Sequence, residues 1–582
     1  MRSTLCSAVG VLLLVAYAAY ALLGLRTEGP ADKIVQLLVV VPGILCLAWW
    51  ASARILKDLA ARALAWLDRV PAGAFLAALG LALFLFTTWM AYGPLEGTAK
   101  GGDEAGTLFQ ARIYAGGQLA APAPPAPDTY FPCRHLVVHD GKWFGQYTPT
   151  HSVLLAPFVA WGASPLLGPL EGVLSLIGIF MLVRLWAGER SAKLAALLLM
   201  LSPFFLMMTP THMAHNSNLM LTVWSIYLLS RYWRSGRFPL ALGAGFLLGL
   251  ALTTKPYPIV VLGLFLLGAL VRGGRKGLLG IAGLAIGAAP FAAGMLLLNR
   301  YYTGDPLTTP YQLARPGRLL GFGANKAWYP TYGDYTHTLW RGLKDGIRQV
   351  ASGATMLFGW PLISLVPLAA SLPLLRRERR LAWLFGMLPA MFIFLLAHAW
   401  PATIYGPRHY YVFLPVVIYL SLRGLGLLYR LARKRWDRRG GNFLLLVLAG
   451  LFSITLVLYL PERVREMSGP WLSIDSGPMQ AAEESAEPPA VILMEASQHG
   501  YPNIYSGLNY TSPFLDSPFV FCAHQTPEED RAFMRRFPER GAYVYYVDDE
   551  GRHRVEAWTE ELARELTPER GMHLENRPPP RR

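Results

Sequence analysis

Charged residues are scarce in this chain, and apolar residues are abundant. Asp, Glu, Lys and Arg make up 15% of the 582 residues, whereas hydrophobic residues make up 53%. Soluble domains carry about a quarter charged residues. The apolar residues fall in long runs with short charged breaks between them, as in helical proteins that cross a membrane several times. This composition excludes an ordinary soluble domain and predicts a polytopic α-helical membrane protein.

Several common motifs are also missing. The sequence has no P-loop, no dinucleotide-binding glycine pattern, no zinc-finger spacing and no internal repeat. The missing P-loop argues against an ATP site and therefore against a pump. Many secondary transporters contain repeats and place carboxylates at the membrane centre. Neither feature is evident, although a secondary transporter remains an alternative.

Cysteine is rare as well, and four cysteines cannot form a disulfide framework. Cys6 and Cys46 lie in apolar runs and are expected to be small buried side chains. Cys133 and Cys522 lie in stretches that we place outside the membrane, so they either pair or remain two separate thiols.

The net charge of +16 comes from short clusters of Arg and Lys between the apolar runs. Because these clusters form no continuous basic face, they argue against a nucleic-acid partner. Cytoplasmic loops are enriched in Arg and Lys, so the clusters place the N-terminus inside, and the long loops and the C-terminal tail outside. The clusters are Arg54/Lys57/Arg62/Arg69, Arg190/Lys193, Arg231/Arg234/Arg237, Arg272/Arg275/Lys276, Arg376/Arg377/Arg379/Arg380 and the run from Arg430 to Arg439.

About thirteen apolar runs are candidate membrane spans, and several are shorter than the roughly 20 residues that a crossing helix needs. The first run is long and lacks a clean cleavage site, so we expect an uncleaved span. The pair that flanks Thr253 to Pro256 is either two spans or one broken hairpin. The candidates are Leu5–Leu25, Ile34–Trp50, Ala72–Tyr92, Leu166–Trp186, Ala192–Met208, Leu219–Trp233, Leu240–Leu252, Ile259–Val271, Gly277–Leu298, Ala354–Leu375, Leu381–Ala399, Tyr411–Leu428 and Phe443–Leu460.

We divide the chain into three parts. Residues 1–71 are an extra transmembrane hairpin with a cytoplasmic amphipathic linker, and residues 72–460 are a transmembrane core with outer loops at 93–151 and 300–350. Residues 461–582 are expected to form a small soluble α/β domain on the outer face, periplasmic or extracellular. Its predicted strands are Ala490–Met494 and Tyr543–Val547, and its predicted helix is Pro527–Phe537. Glu483, Glu484 and Glu487 are expected to belong to the linker that leads into this domain.

An acidic pair, Asp103 and Glu104, opens the first outer loop and is followed by an amphipathic run from Ala105 to Leu119. One interpretation is structural, because Asp is favoured as a helix N-cap and Glu suits a first helical turn. The other is catalytic, because a carboxylate held at a membrane surface is suited to act as a base. The two roles are compatible.

Further along the same loop lies a group of polar residues that could bind a substrate: Arg134, His135, His139, Tyr147 and His151. Histidines in a loop are more often solvated or structural than metal ligands, and the spacing matches no standard zinc motif. We therefore assign no metal ligand here.

Two cations stand at the edges of apolar runs. Lys255 is isolated between two of them, and charges in such places are candidates for function, although a snorkelling lysine is the structural alternative. Arg408 begins another run on the predicted outer side, where arginine is disfavoured. A phosphate partner would explain it, because guanidinium binds phosphate in a bidentate manner.

The order of these motifs resembles the GT-C glycosyltransferases, the polytopic enzymes that include protein O-mannosyltransferases and lipid A aminoarabinose transferases. The matching stretches are Gly102-Asp103-Glu104, Tyr147 to Ser152, Ser202-Pro203, Thr254-Lys255-Pro256 and Gly406 to Tyr410. The resemblance covers roughly residues 72–460 and implies a core of about 11 spans. The hairpin before it is an apparent addition.

The resemblance implies transfer of a sugar from a polyprenyl-phosphate donor at the outer face of a bacterial cytoplasmic membrane, with inversion. Asp103 would be the base and Glu104 would position acceptor or sugar, while Lys255 and Arg408 would stabilise the lipid phosphate. His409, Tyr410, Tyr147, His151, Arg134 and His135 would contribute to substrate binding. The acceptor would be a lipid, a glycan or a protein.

Some relatives use a divalent metal and others do not, so the cofactor stays unassigned. Three alternatives remain open: a secondary transporter, a non-catalytic scaffold for envelope assembly, and an enzyme that transfers a whole lipid-linked glycan.

Overall fold

Most of the chain is helical. A computed structural model describes residues 2–22, 30–54, 58–315, 317, 320–326, 334–399, 405–468, 474–495 and 502–567. The helices are α1 (Arg2–Leu22), α2 (Pro30–Val35), α3 (Val41–Arg54), α4 (Leu59–Arg69), α5 (Ala72–Tyr92), α6 (Gly102–Ala115), α7 (Pro127–Tyr130), α8 (Pro149–Ala160), α9 (Leu167–Ala187), α10 (Glu189–Met200), α11 (Pro203–Met208), α12 (His215–Ser235), α13 (Phe238–Leu252), α14 (Pro256–Val271), α15 (Gly274–Thr303), α16 (Pro310–Ala314), α17 (Leu339–Met356), α18 (Val366–Ala369), α19 (Leu372–Leu375), α20 (Arg379–Leu396), α21 (Leu414–Ile454), α22 (Leu460–Met467), α23 (Gly477–Ser485), α24 (Pro502–Leu508), α25 (Pro527–Met534) and α26 (Glu560–Leu566).

The strands are short and belong to the loops and the C-terminal region. They are β1 (Ala121–Pro122), β2 (Leu136–His139), β3 (Lys142–Gly145), β4 (Gly323–Asn325), β5 (Tyr335–His337), β6 (Ala490–Met494), β7 (Phe519–Ala523), β8 (Gly541–Val547) and β9 (His553–Ala557).

Six helical segments in the described part of the chain are long and apolar enough to cross a membrane. They are Ala31–Arg54, Ala72–Tyr92, Ser164–Ala187, Gly274–Thr303, Arg379–Leu396 and Arg408–Met467. Five shorter apolar helices accompany them: Leu5–Ala21, Pro149–Ala160, Phe238–Leu252, Pro256–Val271 and Val366–Leu375. The helical membrane class is therefore confirmed, whereas the count of about thirteen spans stays a prediction.

Three candidate spans differ from the helices in an informative way. The last two, Tyr411–Leu428 and Phe443–Leu460, fall on opposite sides of the non-helical backbone at Trp436 and Asp437, which divides the range α21 into two helices. The candidate Ala192–Met208 is broken at Ser202, because Pro203 cannot continue α10 and instead starts α11.

Close backbone contacts hold the central helices together. A side chain at Gly245 of α13 would place its Cβ 2.4 Å from the carbonyl oxygen of Leu284 in α15, so only glycine fits there. Membrane helices that lack a hydrophobic driving force between them commonly approach through such small residues. Helix α13 also packs against α12, which packs against α9.

Several of the Arg-rich turns meet at the same end of the bundle. Arg190 forms an ion pair with Asp68, Arg380 lies over the Trp186 ring, and Arg423 pairs with Glu378. This grouping supports the alternation that we read from the sequence. Which end faces the cytoplasm stays a prediction.

The first outer loop folds into α6 and an antiparallel sheet of order β1-β3-β2. Helix α6 begins after Gly101, which is the extended N-cap residue, so the expectation that Asp103 caps the helix is wrong. Asp103 lies in the first turn instead, where the N-terminal helix dipole favours a carboxylate. The helix ends at Ala115, with Gly116 as its C-cap, earlier than the predicted Leu119.

The C-terminal region contains a sheet of order β7-β6-β8-β9, in which β6 is parallel to β7 and β8, and β9 is antiparallel. The strand predicted at Ala490–Met494 is confirmed, and the predicted second strand and helix coincide closely with β8 and α25. Glu483 and Glu484 lie in α23, which packs on β9, so a linker there is wrong. Cys133 and Cys522 are buried free thiols.

The C-terminal sheet and the first outer loop share one apolar core. Phe109 and Trp143 from the loop belong to the same buried cluster as Val520, Phe521 and Phe533 from the C-terminal region. Tyr130 of α7 stacks on Phe533 of α25 with ring centroids 3.8 Å apart. The C-terminal region is therefore docked on the loop that carries Asp103 and Glu104.

Candidate active site

Asp103 lines a cavity of about 710 Å³ between the first outer loop and the ends of several apolar helices. Polar, charged and apolar side chains all line the cavity. They include Asp103, Tyr147, Met213, Lys255, Tyr257, Met295, Leu298, Leu307, Tyr311, Arg315, His398, Arg408 and His409.

Three side chains contact the Asp103 carboxylate. The Tyr147 hydroxyl donates to Oδ1 at 2.5 Å, the Arg408 guanidinium lies 3.2 Å from Oδ2, and His135 Nε2 lies 3.5 Å from Oδ1. The side chain of Asp103 is 23% exposed, toward the cavity. The carboxylate is therefore oriented by several partners yet accessible to a ligand.

The local charges keep Asp103 ionised. Burial raises the pKa of Asp103, but the Arg408 charge, the hydrogen bond from His135 and the Lys255 charge outweigh burial and hold that pKa well below its usual range. Burial lowers the pKa of His135 despite the contact with Asp103, so this imidazole is neutral near pH 7.

Arg408 reaches Asp103 because of a tight turn before it. Tyr405 and Gly406 both have positive φ, 61° and 89°, and they lead into a 3-10 turn, Arg408–Phe413. A residue with a side chain is rarely tolerated at such angles unless neighbouring contacts hold it. The Tyr405 hydroxyl provides that contact, because it donates to Glu104 Oε1 at 2.7 Å.

Lys255 lies at the break between α13 and α14, where Pro256 starts the second helix. Its Nζ is 5.9 Å from the Tyr257 ring centroid, and within the described ranges no carboxylate lies close enough for an ion pair. Burial lowers the pKa of Lys255 to about 7, against the Asp103 charge, which raises it. An anion bound here would raise that pKa again.

Hydrogen bonds join two of the sequence motifs to each other. Thr148 Oγ1 donates to the Thr254 carbonyl at 2.6 Å, and the Thr150 amide donates to the Thr253 carbonyl at 3.2 Å. The stretch that contains Tyr147 and the stretch that contains Lys255 therefore form one unit. Their side chains face the same cavity.

His409 also lines the cavity. Its Nδ1 is hydrogen-bonded to the Tyr257 hydroxyl at 2.5 Å, while its buried Nε2 has no partner within the described residues. Its ring lies 5.3 Å from that of His398. Tyr257, His398 and Arg315 were not singled out from the sequence, although Tyr257 is only two residues from Lys255.

Glu104, the neighbour of Asp103, lies outside the cavity. Its side chain is buried, accepts hydrogen bonds from the Tyr405 hydroxyl at 2.7 Å and the His212 amide at 2.9 Å, and does not line the cavity. Burial raises the pKa of Glu104 to about 7, against these two hydrogen bonds. Glu104 thus joins α6 to two other segments that border the site.

Four other predicted binding residues do not line the cavity. His151 is buried, with Nδ1 2.7 Å from Ser217 Oγ and Nε2 2.9 Å from the His212 carbonyl. Tyr410 packs against the main apolar core, and Arg134 is half-buried. His135 lies behind Asp103 rather than in the cavity. Direct substrate contact by these four is therefore not supported by their positions.

Two further observations concern a buried acidic residue and possible metal-binding clusters. Glu171 lies in the first half of the span Ser164–Ala187 and accepts a hydrogen bond from Ser217. The expected lack of carboxylates at the membrane centre stays a prediction. The described part of the chain brings together no group of three or more His, Cys, Asp or Glu side chains that could hold a metal ion. We assign no step to a metal.

The position of His135 explains why residue 102 is a glycine. A Cβ at Gly102 would lie 2.1 Å from Cε1 of His135, so a larger residue would displace the imidazole that contacts Asp103. The glycine of the Gly102-Asp103-Glu104 motif thus serves the local packing.

Comparison with known proteins agrees with the motif resemblance. The dolichyl-phosphate-mannose-protein mannosyltransferase family matches residues 155–293, a segment that includes Lys255 but neither Asp103 nor Arg408. No curated protein sequence matches the chain. The crystal structure of ArnT from Cupriavidus metallidurans bound to undecaprenyl phosphate is similar, with a TM-score of 0.51 and 13% identity over 82% of this chain and 97% of that one.

The apo structure of the same ArnT gives a TM-score of 0.50 at 13% identity, with coverage of 84% and 98%. An oligosaccharyltransferase from Archaeoglobus fulgidus, in complex with Zn and sulfate, gives a lower TM-score of 0.43. The ArnT matches show the fold, and together with the family match they confirm the resemblance to GT-C glycosyltransferases.

Proposed function

We propose that this protein is an integral membrane glycosyltransferase that moves a sugar from a polyprenyl-phosphate donor to an envelope acceptor at the outer membrane face. One observation carries the proposal: an ionised carboxylate, Asp103, and two cations, Lys255 and Arg408, open into the same cavity. The family match and the ArnT-like fold support the same class of enzyme. ArnT binds undecaprenyl phosphate, a lipid of the proposed donor class.

The cations suit the leaving group. Transfer breaks the bond between the anomeric carbon and a phosphate oxygen, and the bonding electrons pass to that oxygen. The lipid phosphate thereby gains one negative charge. Lys255 and Arg408 stabilise this charge in a site with restricted access to water, where fixed charges act strongly. A phosphate leaves without protonation, so no general acid is required.

Asp103 suits the acceptor side. The acceptor hydroxyl forms the new bond to the anomeric carbon and gives its proton to Asp103. Single displacement on the face opposite the phosphate inverts the configuration. A donor phosphate that engages Arg408 draws its charge away from Asp103, so the pKa of Asp103 rises and the carboxylate becomes a stronger base once the donor is bound.

The remaining groups have supporting roles. Tyr147 orients the carboxylate, and His409 offers its unpartnered Nε2 to the donor phosphate or sugar. Glu104 holds the start of α6 against the Tyr405 turn and therefore positions both Asp103 and Arg408 without contacting substrate. Met295, Leu298 and Leu307 provide the apolar wall that suits the start of a polyprenyl chain.

The proposed setting is the cytoplasmic membrane of a bacterium, with the N-terminus inside and residues 461–582 outside. Cytosolic nucleotide sugars do not reach that face. A lipid-carried donor does reach that face, and its negatively charged phosphate is suited to the cation-rich cavity.

The test compares wild type with Asp103→Asn, each purified in detergent and given a panel of radiolabelled polyprenyl-phosphate sugars with membrane acceptors. We expect transfer or donor hydrolysis by wild type and a loss of roughly 100-fold or more in Asp103→Asn. Asp305→Asn is the matched control, because Asp305 is exposed and does not line the cavity. Equal activity in wild type and Asp103→Asn would refute Asp103 as the base, and a scaffold would retain its function in both.

A further inference from the structure

A tyrosine of the C-terminal region reaches the rear of the candidate site. The Tyr505 hydroxyl lies 2.7 Å from Nδ1 of His135, and Nε2 of the same imidazole faces Asp103 Oδ1 at 3.5 Å. Tyr505 and His135 are both buried. Hence residues separated by 370 positions along the chain form one line of polar contacts that ends on the proposed base.

The chemistry of the three groups fixes the direction of these contacts. An ionised carboxylate only accepts hydrogen bonds, so the imidazole nitrogen that faces Asp103 must carry the hydrogen. The opposite nitrogen of a neutral imidazole is then an acceptor, and the Tyr505 hydroxyl must donate to it. Removing the hydroxyl leaves the buried Nδ1 lone pair without a donor, so the ring is free to tilt away from the position in which Nε2–H points at the carboxylate.

Neighbouring contacts keep Tyr505 in register with α6. Asn509 exchanges two hydrogen bonds with the backbone of Ala99, just before α6, at 3.0 and 3.1 Å. Near the other end of α6, the Arg112 guanidinium donates to the carbonyl oxygens of Leu508 and Thr511 at 3.0 and 3.3 Å. One short segment, residues 505–511, therefore holds both ends of α6, the helix that carries Asp103.

We propose that Tyr505 is a positioning residue for the reaction: it holds the His135 ring so that Nε2–H points at Asp103, and it thereby orients the Asp103 carboxylate toward the acceptor hydroxyl. This inference rests on the proposed function. It assigns the C-terminal region a role in the chemistry itself, through a contact made outside the cavity.

The experiment compares Tyr505→Phe with Tyr545→Phe. Tyr545 is the matched control, because its hydroxyl also lies 2.7 Å from a histidine Nδ1, that of His553, within the C-terminal sheet. Losing one hydrogen bond that orients a charged group lowers the rate by roughly five- to tenfold. We expect that loss in kcat for Tyr505→Phe, with an unchanged KM for the donor, because Lys255 and Arg408 still hold the phosphate. Tyr545→Phe should match wild type.

A double-mutant cycle separates this role from packing. In a His135→Ala background, Tyr505→Phe should change kcat by less than about twofold, because the contact through which it acts is gone. A full and independent effect of Tyr505→Phe in that background would overturn the proposal. So would a wild-type kcat for Tyr505→Phe.

Two further measurements test the inference if His135→Ala folds poorly. His135→Gln places an amide nitrogen where Nε2 lies and should retain more kcat than His135→Asn, whose amide reaches only the Nδ1 position. Nitrogen shifts of histidine-labelled protein, assigned with His135→Ala, should show the Nε2–H tautomer in wild type with Nδ1 as a hydrogen-bonded acceptor, and the Nδ1 shift should change in Tyr505→Phe. Equal activity of the Gln and Asn variants, or an unchanged Nδ1 shift, counts against the inference.

The inference and the proposed function fail in different ways. If Asp103→Asn remains as active as wild type, the proposed function of Asp103 fails and the positioning role falls with it. If Asp103→Asn is inactive while Tyr505→Phe equals Tyr545→Phe, only the positioning role fails.

Discussion

Replacing Arg408 with Gln tests the electrostatic reasoning most directly. Arg408 lies 3.2 Å from Asp103 and faces the cavity, so the change removes a cation from both the base and the proposed phosphate position. A hydrogen bond to a charged group contributes about 1.5–3 kcal/mol. If that contribution is realised in the transition state, kcat/KM falls about 10- to 150-fold.

The pH profile gives the second signature. Asp103 acts as a base only when it is deprotonated, so activity falls as the pH drops through its pKa. In wild type the Arg408 charge, together with His135 and Lys255, holds that pKa well below its usual range. Without Arg408, the remaining charges offset less of the effect of burial, so the pKa of Asp103 rises. The acid limb of kcat/KM should therefore appear at a higher pH in Arg408→Gln than in wild type.

The assay is donor consumption by purified protein between about pH 4.5 and 8, the range in which an ordinary carboxylate and histidine titrate. The control is Arg348→Gln, because Arg348 also pairs with an aspartate, Asp345, at 2.9 Å but is exposed on α17. The control should match wild type. A drop in kcat/KM below about twofold for Arg408→Gln, or an acid limb at the wild-type position, would refute the assigned role of Arg408.

Three other changes probe different parts of the site. Lys255→Met should raise the donor KM, whereas Lys255→Arg should retain donor binding. In wild type the Lys255 cation is lost near its pKa of about 7, and an arginine stays charged, so the basic limb of kcat/KM should move to higher pH in Lys255→Arg. Identical basic limbs in wild type and Lys255→Arg would contradict this. Glu104→Ala leaves two buried donors without an acceptor and should destabilise the fold by roughly 2–4 kcal/mol, read as a lower melting temperature, with Glu104→Gln less affected. Gly102→Ala should lower kcat by displacing His135. Gly73→Ala, where a Cβ meets nothing within 4 Å, controls for the extra methyl group and should match wild type.

The sequence was a good guide to the cations and a poor guide to the second carboxylate. Lys255 and Arg408 stood out because an isolated charge at the edge of an apolar run is costly unless it has a partner or a function. Asp103 and Glu104 were assigned to one site because they are adjacent. Successive residues in a helix point about 100° apart, so the two carboxylates of α6 face different surroundings. Asp103 faces the cavity, whereas Glu104 is buried.

Residues that depend on tertiary contacts could not be found from local pattern. His151 resembled a site residue because it follows Tyr147 in one motif, yet it faces the helix bundle and bonds to Ser217. Tyr505 lies in a segment with no motif of its own, and its relation to His135 exists only once the C-terminal region docks on the first loop. The strands Ala490–Met494 and Gly541–Val547 were recognisable because continuous apolar runs are typical of buried strands.

The charges near Asp103 argue for a particular kind of donor. The fields of two cations, Arg408 and Lys255, act on Asp103. With a donor that carries one negative charge on its phosphodiester, the two cations are balanced by that charge and by the carboxylate. During transfer the carboxylate gains a proton and the leaving phosphate gains a charge, so the balance is kept throughout. A diphosphate-linked donor would bring an additional negative charge that Arg408 and Lys255 do not balance, and Arg315, which lies over the Tyr311 ring in the same cavity lining, is the further cation available to it. The donor panel should therefore show turnover with sugars linked through one phosphate in both wild type and Arg315→Gln, whereas any turnover of sugars linked through two should require Arg315.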